Sequence, residues 1–413
     1  MDLRLRTDAE AIARGAVADM LPGLRVKQAV QSLHFPGDVY LVAVGKAAWA
    51  MAEAAASVLS VKQGIVLTKY GHVAGPLAGI ACLEAGHPVP DANSYRGTRE
   101  ILNLVSGLSP KDTVLFLLSG GGSALFELPL VAPEKLETVT EHLLKAGADI
   151  GELNTIRKRL SAVKGGRFAL SCPARMEAII LSDVLGDRLD LIASGPAAPD
   201  TSTCAEALAI AEKYGIRDPE ILSLLAVETP KELPMVRSQI VGSVSQLCQA
   251  ACNRAEQLGY RPTVLTDRLT GEASQMGIQL ARLLKEYRTK GEKIALIAGG
   301  ETVVTVRGKG LGGRNQELAL AAAKELAGTP GICLLSIGSD GTDGPTDAAG
   351  GYADGDTLRQ LAEAGVNYDT MLENNDSYHA LQAVDSLILT GPTGTNVNDL
   401  VLGLIAPTGS EDV

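Results

Sequence analysis

Residues 113–123 read TVLFLLSGGGS. The run Thr113–Leu118 is apolar on both faces, as expected of a strand buried between helical layers in a parallel sheet. Ser119, Gly120, Gly121, Gly122 and Ser123 follow at once. Three consecutive glycines let the backbone approach a ligand closely and turn its N–H groups inward, the physics of a phosphate nest. In open α/β sheets, ligands bind outside the carboxyl ends of the strands. This one stretch therefore points both to a fold class and to a binding loop. A flexible surface turn is the alternative, and the buried strand immediately upstream argues against it.

The same alternation extends in both directions. Asp38–Val44, Gly64–Thr68, Gly79–Leu83 and Met176–Leu181 read as strands. Lys46–Leu59 reads as an Ala-rich helix, and Asp91–Val105 as a second one opened by Asp91 and Asn93, good N-cap residues. The pattern pauses at Pro230–Pro234 (PKELP), whose two prolines and two charges make a linker composition. It then restarts with strands at Gln239–Gly242, Pro262–Thr266, Ile294–Ala298, Thr302–Val306, Ile332–Ile337 and Leu387–Leu389. Helices are expected at Val244–Leu258, Glu272–Tyr287, Asn315–Leu326 and Asp356–Ala364. The expectation is two α/β domains, residues 1–235 and 236–413.

Composition narrows the function. Glycine accounts for 45 of 413 residues, well above the roughly 7% of an average protein. The net charge is −11 and aromatic residues make up 3%. Nucleic-acid binders carry the opposite charge balance and more stacking rings, so no nucleic-acid partner is expected. An anionic ligand must instead be met by a few local cations and by backbone N–H groups. The six cysteines form no C-x-x-C, which excludes a zinc ribbon and a thioredoxin motif. The first nineteen residues hold no apolar stretch of signal-peptide type, and Val114–Phe126 is too short to span a bilayer. A soluble, cytoplasmic protein with no membrane partner is the reading.

Polar glycine clusters recur where strands are expected to end. Asp38–Val44 leads into Gly45-Lys46, and a lysine at a strand-to-helix turn can hold an anion. No P-loop pattern is present. Met176–Leu181 ends in Ser182-Asp183, where a carboxylate could bind Mg²⁺ or accept a hydroxyl proton. Gly308, Gly310 and Gly313 match G-x-G-x-x-G, but Arg307, Lys309 and Arg314 surround them. A pyrophosphate loop works mainly through backbone N–H groups, so this stretch reads as a triphosphate or carboxylate clamp that includes Gly312 and Gly313. Residues 338–347 (GSDGTDGPTD) place Asp340 and Asp343 in a loop suited to a metal or a hydroxyl. Residues 390–399 (TGPTGTNVND) are another polar glycine loop. Gly, Asp, Lys and Arg gathered at strand ends suit phosphoryl transfer, where positioning and charge neutralisation carry the catalysis.

The stretches VAVGKAAWAM, LSGGGSALFELP, LSAVKGGRFA, LSDVLGDRLDLIASGP, AGGETVVTVRGKGLGGRNQELAL, GSDGTDGPTDAAGG and GPTGTNVNDL run from residue 42 to residue 400. In this order they resemble the MOFRL-type glycerate 2-kinases, members of which are often labelled hydroxypyruvate reductases. The resemblance implies a larger Rossmann-like N-terminal domain, a smaller C-terminal MOFRL domain and an active site in the cleft between them. It implies transfer of the γ-phosphoryl group of ATP to the 2-hydroxyl of D-glycerate, with Mg²⁺ or another divalent cation. Lys46 and Arg314 match the family's two suspected catalytic cations, and Ser119–Ser123 its phosphate-binding loop. Asn315 joins Lys46 and Arg314 in the expected substrate-binding set, and Asp183, Asp340 and Asp343 are the metal candidates. One departure is Ala197 after ASGP, where relatives commonly carry Thr, which puts a hydroxyl contact there in doubt. An NAD(P)H-dependent hydroxypyruvate reductase and a non-catalytic sugar-phosphate sensor are the alternatives. The oligomeric state is left open, a homodimer being one option.

Overall fold

The computed structural model describes residues 3–288 and 291–407. The chain divides into two compact units, Pro22–Val241 and a second made of residues up to Leu21 together with those from Gly242 onward. Among the described residues, twelve strands form two six-stranded sheets. In the first unit they are β1 (Val39–Val44), β2 (Gln63–Lys69), β3 (Ile80–Ala85), β4 (Thr113–Leu118), β5 (Arg175–Leu181) and β6 (Val236–Gly242). In the second they are β7 (Arg261–Leu269), β8 (Ile294–Gly300), β9 (Ile332–Gly338), β10 (Gly350–Asp354), β11 (Leu387–Ile388) and β12 (Asp399–Ile405).

The first sheet has the order β3-β2-β1-β4-β5-β6. β1 pairs in parallel with β2 and β4, β2 with β3, and β4 with β5. This is the doubly wound order whose strand sequence reverses between β1 and β4, the place where such folds bind ligands. Alternate residues feed opposite faces. Val42, Val44, Phe116 and Leu118 pack with Ile101 and Val105, while Leu41, Ala43, Leu115 and Leu117 pack with Met51 and Ala52. Both faces are covered by helices, so both must be apolar, which is why these strands read as unbroken hydrophobic runs. The helix Ala92–Ser106 opens with the expected cap: Asp91 accepts from the Ser94 N–H and Ser94 Oγ accepts from the Asp91 N–H.

The second sheet has the order β11-β10-β9-β12-β8-β7 and corrects the expectation of parallel strands. Only β7 and β8 pair in parallel; β8–β12, β12–β9, β9–β10 and β10–β11 are antiparallel. β8, β9, β10 and β12 are nevertheless buried on both faces, while the edge strand β7 is not. Leu318, Leu320 and Leu326 cover one side, and Leu5, Ile12, Leu247 and Ala251 the other. Burial on both sides, rather than strand direction, makes a sequence run continuously apolar.

The domain boundary is corrected as well. The N-terminal helix Leu3–Asp19 packs on the second sheet through Leu5, Ile12 and Val17, and Asp19 takes a bidentate pair from Arg254 at 2.8 and 3.1 Å. Pro230–Pro234 is not a linker. The Pro230 carbonyl accepts from the Asp200 N–H at 2.9 Å, and Lys231 Nζ donates to the Asp200 carbonyl at 3.1 Å. Two residues past Pro234, β6 begins, and it is still part of the first sheet. Thr302–Val306 is not a strand either. Val303 makes one isolated bridge to Glu272, and Val303 and Val306 are 58% and 74% exposed. Among the described residues no helix is long and apolar enough to cross a membrane, and the cysteines are free thiols.

Candidate active site

The candidate residues form two groups, one in each unit. In the first unit, β1 and β4 are neighbours, and the turns that follow them are stitched together. Gly45 adopts φ +120°, and a side chain there would strike Ser119. The Lys46 N–H donates to the Gly120 carbonyl at 2.9 Å, and the Ala47 N–H to Ser119 Oγ at 3.1 Å. Thr68 Oγ1 donates to the Gly45 carbonyl at 2.9 Å, so β2 holds the same turn. The helix begins two residues later than expected, at Ala48. Lys46 is half-buried and, among the described residues, makes no ion pair, so its ammonium is not consumed by a carboxylate.

The glycine loop is shaped by what lies against it. Gly121 is left-handed at φ +85°, and a Cβ there would lie 3.1 Å from Lys46 Cγ and from the His87 ring. A Cβ on Gly120 would collide with the Asp183 carboxylate, and one on Gly122 would lie 2.6 Å from Ala193 Cβ. Among the described residues, the N–H groups of Gly120, Gly121, Gly122 and Ser123 meet no acceptor. The Ser123 carbonyl, by contrast, accepts from Lys164 Nζ at 2.9 Å and Arg157 Nη2 at 3.4 Å. Lys164 is fully buried and ion-paired with the equally buried Glu127. Burial pushes the Lys164 ammonium down to about 8, against the pull of Glu127. Ser123 Oγ lies 3.1 Å from Ser194 Oγ, which lies 3.2 Å from Asn154 Oδ1. Ala193, Ser194 and Gly195 are left-handed in succession, at φ 50°, 62° and 65°. Ala197 packs in the apolar core beside them, with no polar role.

Lys46, Ser119–Ser123 and Asp183 are therefore brought together at the strand ends, as the sequence suggests. His87 is an addition. It follows β3, and burial together with Lys46 and Lys69 lowers its pKa, which disfavours protonation of the ring. Its signal in the sequence is its place just beyond a strand end, hidden because β3 runs to Ala85 rather than Leu83.

In the second unit, Arg314 opens the helix Arg314–Leu326. Its Nε and Nη2 donate to Asp399 at 2.6 and 2.9 Å, and Nη1 lies 3.0 Å from Glu301. The guanidinium thus keeps two of its five N–H groups for a ligand. Asp399 is the first residue of β12, between Gly300 of β8 and Gly338 of β9. Burial pushes its carboxyl up to about 6 despite Arg314. In return, Asp399 and Glu301 hold the Arg314 pKa above its ordinary value although burial opposes it. Arg314, Glu317, Gly312, Gly313, Asn375 and Val303 line part of a cleft of about 580 Å³.

Three expectations change here. Asn315 cannot reach a substrate: it is 1% exposed, its amide lies 3.3 Å from Asp343 Oδ1, and its Oδ1 accepts from Ser336 Oγ at 2.5 Å. Asp343 is a helix cap rather than an open metal ligand. Its two oxygens accept the N–H groups of Asn315 and Gln316 at 3.1 and 2.9 Å, and burial raises its pKa. Asp340 closes a local turn onto the Thr342 N–H at 3.0 Å. Among the described residues no three His, Cys, Asp or Glu side chains cluster as a metal site. Gly312 and Gly313 border the cleft, and side chains there would strike Ser377 and Asp343, so packing accounts for both glycines. The N–H groups of residues 307–311 are all bonded to residues 374–376, so Gly308 and Gly310 of the G-x-G-x-x-G match have no N–H groups left for a pyrophosphate.

Comparison with known proteins identifies the family. Residues 8–226 match a family model described as a domain of unknown function, and residues 294–399 match the MOFRL family. The chain is 51% identical to a D-glycerate 2-kinase of Thermotoga maritima, covering 97% of this chain and 98% of the relative. It is 41% identical to a glycerate 2-kinase of Pyrococcus horikoshii, covering 98% of each. The crystal structure of a glycerate kinase from Thermotoga maritima superimposes with a TM-score of 0.94 at 50% identity, over 98% of this chain and all of that one. The chain belongs to the MOFRL-type glycerate 2-kinase family.

Proposed function

We propose that this chain is a glycerate 2-kinase, transferring the γ-phosphoryl group of ATP to the 2-hydroxyl of D-glycerate to give 2-phosphoglycerate and ADP. One observation carries the reading. The loop Ser119–Ser123 presents four successive unbonded N–H groups at the β1/β4 reversal, beside Lys46 and against Asp183.

Phosphoryl transfer asks the protein to position two anions and to neutralise charge developing on the transferred group. The glycine loop supplies N–H donors for phosphate oxygens but no net charge. Lys46 supplies the charge, as a compact ammonium at the edge of that loop. The 2-hydroxyl must lose its proton as its oxygen bonds to phosphorus, and Asp183 is the carboxylate assigned to receive it or to hold a divalent cation. Mg²⁺ favours hard oxygen donors and is usually held by one or two carboxylates together with substrate phosphates, so a single Asp at the loop fits it. When bound, it offsets charge on the phosphate oxygens. Arg314, with two N–H groups remaining, is assigned to the glycerate carboxylate or to phosphate oxygens.

The reductase alternative needs a nicotinamide dinucleotide site, and in the stretch that matched its fingerprint the N–H groups of Gly308 and Gly310 are already bonded to Asn375 and Asn374. A phosphorus NMR spectrum of the product made from ATP, Mg²⁺ and D-glycerate tests the proposal. The phosphorus is expected on the 2-oxygen. NADH consumption with hydroxypyruvate in the absence of ATP would overturn it.

A further inference from the structure

Residues 307–311 spend five consecutive N–H groups on three side-by-side residues. Asn375 Oδ1 accepts from the Arg307 and Gly308 N–H groups at 2.7 and 3.1 Å. Asn374 takes the Lys309 N–H on its side chain at 3.0 Å and the Gly310 N–H on its carbonyl at 2.9 Å. Asp376 Oδ1 takes the Leu311 N–H at 3.1 Å. Side chains on Gly308 or Gly310 would collide with Asn374 and Asp376, so the two segments are pressed together. Asn375 holds φ +54°, a left-handed conformation that asparagine tolerates better than most residues.

One further bond orients this arrangement. Asn375 Nδ2 donates to Glu317 Oε2 at 2.9 Å. Two N–H groups converge on the other end of the Asn375 amide, so that end must be the oxygen and the NH₂ must face Glu317. Glu317 must then act as an acceptor at that contact. It is 4% exposed and sits on the first turn of the helix that Arg314 opens, and both it and Asn375 border the Arg314 cleft.

We propose that Glu317 and Asn375 are positioning residues for phosphoryl transfer: Glu317 fixes the polarity of the Asn375 amide, and that amide holds the 307–311 loop in the geometry that leads into Arg314. Neither residue needs to touch a substrate. The kinetic half of this inference rests on the assignment of Arg314 to the active site, and the structural half does not.

The test exchanges donor and acceptor. N375D turns the NH₂ that faces Glu317 into a carboxylate oxygen, setting two acceptors against each other. E317Q/N375D restores one donor and one acceptor with their order reversed, and E317M removes the acceptor altogether. Hydrogen exchange is followed on a peptide covering residues 307–311, with peptides from β9 and β12 reporting that the fold is intact, and kcat/KM is measured alongside. Losing a charge-assisted hydrogen bond should speed exchange of the loop and lower kcat/KM by about tenfold or more in N375D and E317M. The double variant should return both to within about threefold of the parent, as expected for residues coupled in contact. A double variant no better than N375D overturns the proposal, and so does exchange at 307–311 that neither N375D nor E317M changes. A released loop with unaltered kcat/KM refutes the positioning role. Arg314→Ala kinetics then judge Arg314 on its own, so the two failures are distinguishable.

Discussion

The loops at 119–123 and 307–311 carry a similar signal in sequence, glycines clustered after an apolar run, and the folded chain uses them in opposite ways. In the first, the carbonyls of Gly120 and Ser123 are bonded, to the Lys46 N–H and to Lys164, while four N–H groups stay open. In the second, every N–H from Arg307 to Leu311 is bonded to residues 374–376. Glycine allows close approach in both cases. In the second loop what approaches is the protein's own chain; in the first, the open N–H groups are proposed to meet a ligand. A glycine cluster is therefore a claim about space, and the destination of the N–H groups decides whether it is a claim about binding.

Lys46→Ala probes the open loop most severely. Removing a cation that offsets charge on the transferring phosphoryl group should lower kcat by at least about 10². Turnover near the parent rate would show that the loop's N–H groups suffice without the ammonium. Gly121→Val should raise the KM for ATP by about tenfold, the scale of one lost charge-assisted hydrogen bond. A β-branched residue cannot follow φ +85° without strain, and its Cβ would press on Lys46 and His87. An unaltered KM in a protein with an unchanged melting curve would remove the loop from the nucleotide site.

The second unit is probed through Asp399. Its carboxyl is raised to about 6, so it carries its charge above that pH and loses it below. The pair with Arg314 should therefore weaken as the pH falls through about 6, giving an acid limb in kcat/KM. Asp399→Asn should lower kcat/KM by about tenfold at pH 7, the worth of one charge-assisted hydrogen bond, and abolish that limb. A limb that survives the substitution belongs to another group. The smallest effect is expected from Lys309→Ala. Lys309 is exposed, and its part in the closed loop is played by its N–H, which alanine keeps. Its kcat/KM should stay within about threefold, as for most exposed charges. A larger loss would give the second loop a direct contact with substrate and erase much of the contrast with the first.

The first sheet was largely legible from sequence. Thr113–Leu118 emerges with its expected bounds, and β1 and β5 shift by one residue, because strands covered on both faces leave uninterrupted apolar runs. β10 and β12 escaped. Gly350–Asp354 contains two glycines, and Asp399–Ile405 begins on a charge and is broken by Gly403, so neither reads as a strand. The direction of the second sheet escaped for a different reason: burial leaves a trace in composition and pairing sense does not. At the site, Lys46, the 119–123 loop and Asp183 are legible because each follows its own strand. The partners of Arg314 and Asn375 are not, since Asp399 and Glu317 meet them only across folded distances. Asn315 and Asp343 look like ligand groups in sequence because the residues that cap a helix and those that bind a ligand are the same polar types.

The N-terminal helix has a consequence for how the molecule is made. Leu5, Ile12 and Val17 leave the ribosome before anything exists for them to pack on, since β8, β9 and β12 lie beyond residue 241. At the usual ~5–20 residues per second, residues 22–241 take on the order of ten to forty seconds to synthesise. Through that interval the doubly wound unit can close while a greasy helical strip waits at its tether. The last sheet then matures by recruiting a segment made long before its own strands. Trimming the first twenty residues should therefore injure the half of the protein farthest from them in sequence.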